Sequence, residues 1–211
     1  AYYPSKAAPG WPLPPELAVP ETAVEEQVAR RLRARRFRAR VDMLRLGDPS
    51  FPDLSDEALL ARTDMWLAPV ANKLRTKADL QGFDMTPAFE MMLSWEDRQR
   101  LDTLAPPAFV TPLGRKVPID YALAVPEVAV KLQEMFGYQG KPSICNGQIL
   151  LMLHLLSPAK KPLQITQDLP HFWSSSYLEV RKEMRGRYPK HPWPEDPMKT
   201  EATRFTKHKR Y

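Results

Sequence analysis

The chain is poor in the residues that open several chemistries. Its single cysteine, Cys145, excludes an internal disulfide and a cysteine-based metal cluster. The four histidines stand at 154, 171, 191 and 208, and no pair has the i, i+4 or short-loop spacing of a zinc site. Glycine is scarce, eight residues against 23 prolines, which predicts short helices joined by stiff, proline-stopped turns. No apolar run approaches the roughly 20 residues needed to cross a bilayer, and the longest, 149–156, is interrupted by His154. No glycine is followed by Lys-Ser or Lys-Thr, and no Asp-Glu-x-His occurs, so the chain lacks both a phosphate-cradling loop and a magnesium-holding motif. No catalytic residue, cofactor, metal or membrane contact is expected.

What the chain does have is positive charge, and it is unevenly placed. Residues 181–211 hold ten Lys/Arg against four Asp/Glu, while the first 180 residues balance at 21 of each. The excess of +6 therefore sits in the tail. There a basic helix end, Arg181 to Arg187, runs into Tyr188-Pro189-Lys190-His191-Pro192-Trp193-Pro194. The prolines remove backbone donors and fix φ, so little conformational entropy is lost when the aromatic rings settle on a partner. Cations interleaved with aromatics suit a phosphate backbone with stackable bases. The residues expected to meet nucleic acid are Arg181, Lys182, Arg185, Arg187, Tyr188, Lys190, Trp193, Arg204, Lys207, Lys209 and Arg210, with His191 as a further stacking face. Gly186 is expected to let the chain leave its helix and aim the arm. The competing reading has the Pro-Trp-Pro unit clamp the tail onto its own domain, because a large ring contributes most when buried.

The proline-rich first 21 residues, around Trp11, read as an extended arm. The chain begins at Ala1 rather than Met, so a processed, cut or trimmed N-terminus is expected. Thr22-Ala23-Val24-Glu25 reads as a capping box opening a helix to about Leu46. Val24, Val28 and Leu32 form its first apolar stripe, and Phe37, Val41 and Leu44 continue it. Arg30, Arg31, Arg33, Arg35, Arg36, Arg38 and Arg40 spread round this helix with few carboxylates close in sequence. Their mutual repulsion points to an outside partner, RNA or an acidic protein, for Arg30, Arg31, Arg33, Arg35, Arg36 and Arg38. Pairing with acidic residues elsewhere in the fold is the alternative.

Short helices are expected over 50–104, opened by Ser55, by Thr86 with Pro87, and by Ser94. After Ala105 the pattern changes. Residues 109–111 and 116–121 predict a hairpin about Pro112-Leu113-Gly114-Arg115. The stretch 126–136 reads as a helix ended by Gly137, 148–156 and 162–166 as strands, and Asp168 as the cap of the last helical region. Asp168, His171 and a serine among 174–176 could be drawn as a hydrolytic triad, but capping explains Asp168 better. Cys145 reads as structural, with no neighbouring cation to activate it. The expected class is α+β: an N-terminal helical region, then a small antiparallel sheet with packed helices and a Pro/aromatic/basic tail. The expected units are a proline-rich arm (1–21), a helical region (22–105), an α+β domain (106–190) and a basic extended tail (191–211).

Several blocks in this order resemble a known family. They are Pro112-Leu113-Gly114-Arg115 with Ile119-Asp120-Tyr121, Leu132-Gln133-Glu134-Met135-Phe136-Gly137, Leu155-Leu156-Ser157-Pro158-Ala159, 162–169, Phe172-Trp173 and 177–197. Together they resemble the C-terminal domain of HrpB-type ATP-dependent helicases of the DEAH/RHA group. The resemblance is clear over 66–209, weaker over 37–66 and absent from the arm. It implies an appendage that follows a motor, with an auxiliary role rather than chemistry. The expected function is a non-catalytic RNA-binding accessory domain of low sequence preference, partnered by RNA and by a helicase core. The alternative is a stand-alone structural component of a ribonucleoprotein assembly, such as an organellar ribosome. The first implies the bacterial cytoplasm, the second a mitochondrion or plastid.

Overall fold

The computed structural model describes residues 21–206, with side chains from residue 25 onward. Residues 1–20 of the proline-rich arm, Lys207, Lys209 and Arg210 lie outside the described residues, as does the side chain of Thr22, and Glu21 already belongs to the first helix.

Helix α1 (Glu21–Gly47) presents Ala34, Phe37, Val41 and Leu44 to the core at helical spacing. The stripe expected at its N-terminal end faces solvent instead: Val28 and Leu32 are exposed. The first half of the helix meets the body through Gln27, Arg30 and Arg33, which reach Gln81, Gly82 and Asp84, so its contacts there are polar and the Val28–Leu32 face is turned away from them. Five short helices follow: α2 (Asp56–Ala61), α3 (Thr63–Trp66), α4 (Lys77–Gly82), α5 (Thr86–Met91) and α6 (Trp95–Leu104). Their starts obey local chemistry. Ser55 and Ser94 accept the amides of Ala58 and Asp97, and Thr76 and Asp79 exchange bonds in a capping box. Thr86 is not a cap: it is the first residue of α5, and Asp84 accepts its amide instead. The Thr86 hydroxyl is buried, with no hydrogen-bond partner among the described residues.

The second half is built on three small sheets. Strands β1 (Ala108–Val110) and β2 (Lys116–Pro118) form the expected antiparallel hairpin, with Gly114 at φ +72 supplying the left-handed turn residue. Residues 126–136 do not form the expected helix. They make strand β3 (Glu127–Lys131) and a 3-10 turn (Leu132–Met135). Val128 and Val130 point inward while Ala129 points out, a period of two that a short apolar run conceals. Strand β3 pairs in parallel with β6 (Met152–Leu156), which pairs antiparallel with β7 (Pro162–Thr166). Between them β4 (Ser143–Ile144) and β5 (Ile149–Leu150) close a small hairpin. The class is α+β, with antiparallel pairs joined by one parallel pair.

Helices α7 (Leu169–Ser174) and α8 (Tyr177–Arg187) close the domain. Asp168 caps α7 by accepting the His171 amide. Phe136, Phe172, Trp173 and Tyr177 meet edge-on or tilted, with centroids 5.1–6.4 Å apart. The buried residues form one cluster that runs from Ala34 of α1 through Leu101 of α6 to Trp193. Residue 105 therefore marks a change of secondary structure within a continuous core.

Candidate nucleic-acid interface

Helix α8 sets its inner face with Tyr177 and Met184, and the segment after it folds back onto the domain. The helix passes through Gly186 and stops at Tyr188 (φ −130, ψ 63), whose amide donates to the Met184 carbonyl at 2.7 Å. Gly186 is thus a helical residue and not the exit point.

Beyond it, the backbone of the arm is bonded to the domain at successive points, mostly through its carbonyls. The Tyr177 hydroxyl donates to Pro194 O at 2.9 Å, and Gln133 Nε2 donates to Pro192 O at 3.2 Å. The Gly137 amide donates to Pro197 O at 2.8 Å, and the Thr203 amide to Gln133 O at 3.0 Å. A Cβ at Gly137 (φ +76) would meet the Thr200 carbonyl at 3.1 Å, so glycine is required where the strap crosses the 3-10 turn. Gln133 Oε1 lies 3.1 Å from His191 Nδ1. Since the Gln133 amide nitrogen already serves Pro192, that oxygen accepts, and Nδ1 carries the proton. Burial, and then Lys131, hold the His191 pKa below its usual value.

This strap removes two residues from the expected interface. Trp193 is 5% exposed, and its Nε1 donates to Tyr188 O at 3.0 Å, so its ring offers no stacking face. Arg181 turns inward, donating to Trp193 O at 3.0 Å and pairing with Glu195 at 2.9 Å. Remaining in solvent are Lys182, Arg185, Arg187 and Lys190, with Arg204 further along the strap. Among them, Arg187 alone has an ion pair among the described residues, at 3.5 Å from Glu183. Tyr188 and His191 are half-buried beside this group, edge to face at 6.3 Å. The arrangement offers several exposed cations spread round the last turns of α8 and the residues after it, with a small aromatic corner beside them.

The arginines of α1 have a different fate. Arg30 donates to Gly82 O at 2.6 Å and pairs with Glu26 at 2.8 Å, Arg33 pairs with Asp84 at 3.0 Å, and Arg38 pairs with Asp56 at 2.6 Å. Arg40 is buried, reaching Ala105 O and Asp102, each at 2.6 Å. Most of these partners lie 18 to 65 residues away, beyond any local reading of charge. Arg31, Arg35 and Arg36 stay exposed, without an ion pair among the described residues.

One polar pair went unread in the sequence. Glu134 is almost fully buried, and both its carboxylate oxygens accept from Arg115 Nη1, at 2.8 and 2.9 Å. The helix expected there hid it, and the Gly-Arg turn opposite was its only local signal. The drawn triad does not assemble. Asp168 is committed to the cap and to Lys141, which with that cap lowers its pKa, and the Ser174 and Ser175 hydroxyls donate to the His171 carbonyl. Burial raises the Cys145 thiol pKa, away from nucleophilic character.

Three comparisons bear on this arrangement. The pattern of the ATP-dependent helicase C-terminal family, the HrpB type, matches residues 66–197. ATP-dependent RNA helicase HrpB of Escherichia coli K12 is 44% identical over 163 residues, which are 77% of this chain and 20% of that protein. A crystal structure of the E. coli DExH-box NTPase HrpB superposes with a TM-score of 0.74 at 37% identity, covering 89% of this chain and 25% of that one. A second, of the E. coli DEAH/RHA helicase HrpB, gives 0.63 at 39% identity over 76% and 21%. The chain thus spans about a fifth of the length of the curated relative it matches.

Proposed function

This chain belongs to the HrpB-type ATP-dependent helicase C-terminal family, and on that premise we propose that it is a non-catalytic RNA-binding accessory domain that works beside a helicase motor. The observation that carries the reading is the group of exposed cations at the end of α8, where Lys182, Arg185 and Lys190 have no ion pair among the described residues and Arg187 only one to Glu183 at 3.5 Å, while most arginines of α1 are drawn to partners in other elements. Side chains of this kind neutralise phosphates and release counterions, which favours RNA without selecting its sequence. Tyr188 and His191 offer a partial stacking face beside them. The strap that buries Trp193 acts as a brace, holding the cations in one fixed geometry.

RNA and a helicase core are the partners this reading implies, and the bacterial relative favours the cytoplasm over an organelle. The test is binding of the chain to a fluorescent single-stranded RNA across a salt series. Dissociation constants of roughly 1 to 100 μM that weaken steeply with salt are expected for non-specific phosphate contact. Absence of binding at low salt would remove the RNA role and leave these basic surfaces as protein-docking elements.

A further inference from the structure

A trough runs along the solvent side of α1 from Leu32 to Leu46 and round the helix end. It consists of three adjoining depressions of about 150, 440 and 560 Å³. The first two share Arg35, Ala39 and Ala122, and the second and third share Met43, Leu46 and Ala124. Helix α1 forms one wall. The third depression is closed by Phe51, Arg100, Leu104 and residues 145–149, and facing α1 in the first two is the segment that leads from β2 into β3, residues 120–124.

That segment is unusual for a surface. Residues 122–125 read Ala-Leu-Ala-Val, and all four are exposed. Leu123 is 58% exposed and Leu46, across the trough, 84%. Runs of exposed apolar residues on a folded protein mark surfaces that something covers. The upper end carries charge of one sign in excess. Arg35 and Arg36 line it, exposed and without an ion pair among the described residues, and Arg31 lies one turn above. Asp120, on the same depression, accepts the Ala122 amide at 2.9 Å.

From these features we propose that the trough seats an acidic amphipathic helix of a protein partner, its apolar side chains between Leu46 and Leu123 and its carboxylates over Arg35 and Arg36. The length agrees: at 1.5 Å per residue Leu32 and Leu46 are about 21 Å apart along the axis, some four turns of a docked helix. An RNA strand fits poorly, because phosphates laid along the trough would cover apolar side chains and meet unpaired arginines at one end only, Arg38 and Arg100 further along being paired with Asp56 and Asp48. This surface is separate from the cations of α8, so the two interactions fail independently.

The probe is a fluorescein-labelled 15-residue helical peptide with leucines at i, i+4, i+7 and i+11 and three glutamates in its end turn. It is made in both polarities, with a lysine-for-glutamate control. Against the whole chain the acidic peptide should bind with a Kd of about 10 to 100 μM. Leu46→Asp with Leu123→Asp should weaken it about tenfold or more, both sites being solvent-exposed and so neutral to folding. Arg35→Glu with Arg36→Glu should also weaken it about tenfold and bring the lysine peptide up to comparable affinity, a charge reversal that damaged folding would not produce. No acidic peptide binding below about 1 mM overturns the proposal. So does full displacement of the peptide by single-stranded RNA. Concentration-dependent dimerisation in sedimentation, abolished by the aspartate pair, would assign the trough to a second copy. Tighter peptide binding after removal of residues 1–20 would assign it to the chain's own arm.

Discussion

Helix α1 and the α8 strap are the two arginine-rich regions of the molecule, and they use their charge in opposite ways. In α1, Arg30, Arg33, Arg38 and Arg40 are drawn to carboxylates and carbonyls of the short helices packed beside it. In α8 and the strap after it Arg181 is drawn in, Arg187 meets only Glu183 of its own helix, and Lys182, Arg185 and Lys190 stay exposed without an ion pair among the described residues. The denser charge in sequence is thus the more neutralised in space. A guanidinium finds its partner through the fold, and a cluster is free only where the fold brings no acid to it.

The largest expected effect strikes at what holds the free cations in place. Trp193→Ala empties a buried site against Tyr188 and should cost about 3 to 5 kcal/mol in denaturant unfolding. It should also loosen the strap, visible as faster amide exchange at Thr203. A loss below about 1 kcal/mol would mean that the ring is not the anchor of the strap. On the α1 side, Arg40→Ala leaves the Ala105 carbonyl without its partner and should cost about 2 kcal/mol. Arg36→Ala, on the same helix, should stay within about 0.5 kcal/mol. Equal losses at the two positions would erase the distinction between paired and free arginines.

The comparison is sharpest in RNA binding. Arg185→Ala with Arg187→Ala should lower the slope of log K against log salt by about 1 to 2, whereas Arg33→Ala with Arg38→Ala should leave it unchanged. The reverse ranking would move the phosphate contacts to α1. The smallest effect concerns His191. Its folded pKa lies below the usual 6.5, so the unfolded chain binds the proton more readily. The stabilisation is full above about pH 6.5 and is lost as pH falls towards the folded value. His191→Gln should remove this component from a pH series of unfolding midpoints, and an unaltered profile would show that the ring titrates as it does in the unfolded chain.

The features legible in the sequence were those whose partners lie within a few residues. Ser94, Ser55 and Asp168 were readable as caps, and Gly114 as a turn residue, because each serves amides or dihedrals beside it. Strand β3 stands where the pattern predicts a helix: five residues cannot display a period, and pairing with β6, 25 residues on, decides between strand and helix. For the candidate site, the basic character of α8 and the arm was plain. Which of its cations are free was not, since that depends on Glu195 and Trp193 O for Arg181 and on the crossing of the strap over Gln133.

Composition and local pattern were enough for the α+β class, the helix starts, the hairpin, the concentration of charge in the tail and the resemblance to a helicase C-terminal region. These rest on short-range forces, in which capping bonds, turn dihedrals and the order of residues act within one or two turns. The burial of Trp193, the neutralisation of α1, the parallel β3–β6 pair and the open trough beside Leu46 came from the packed chain alone. Burial and ion pairing are contacts between segments far apart in sequence, and they exist only once the core has brought those segments together.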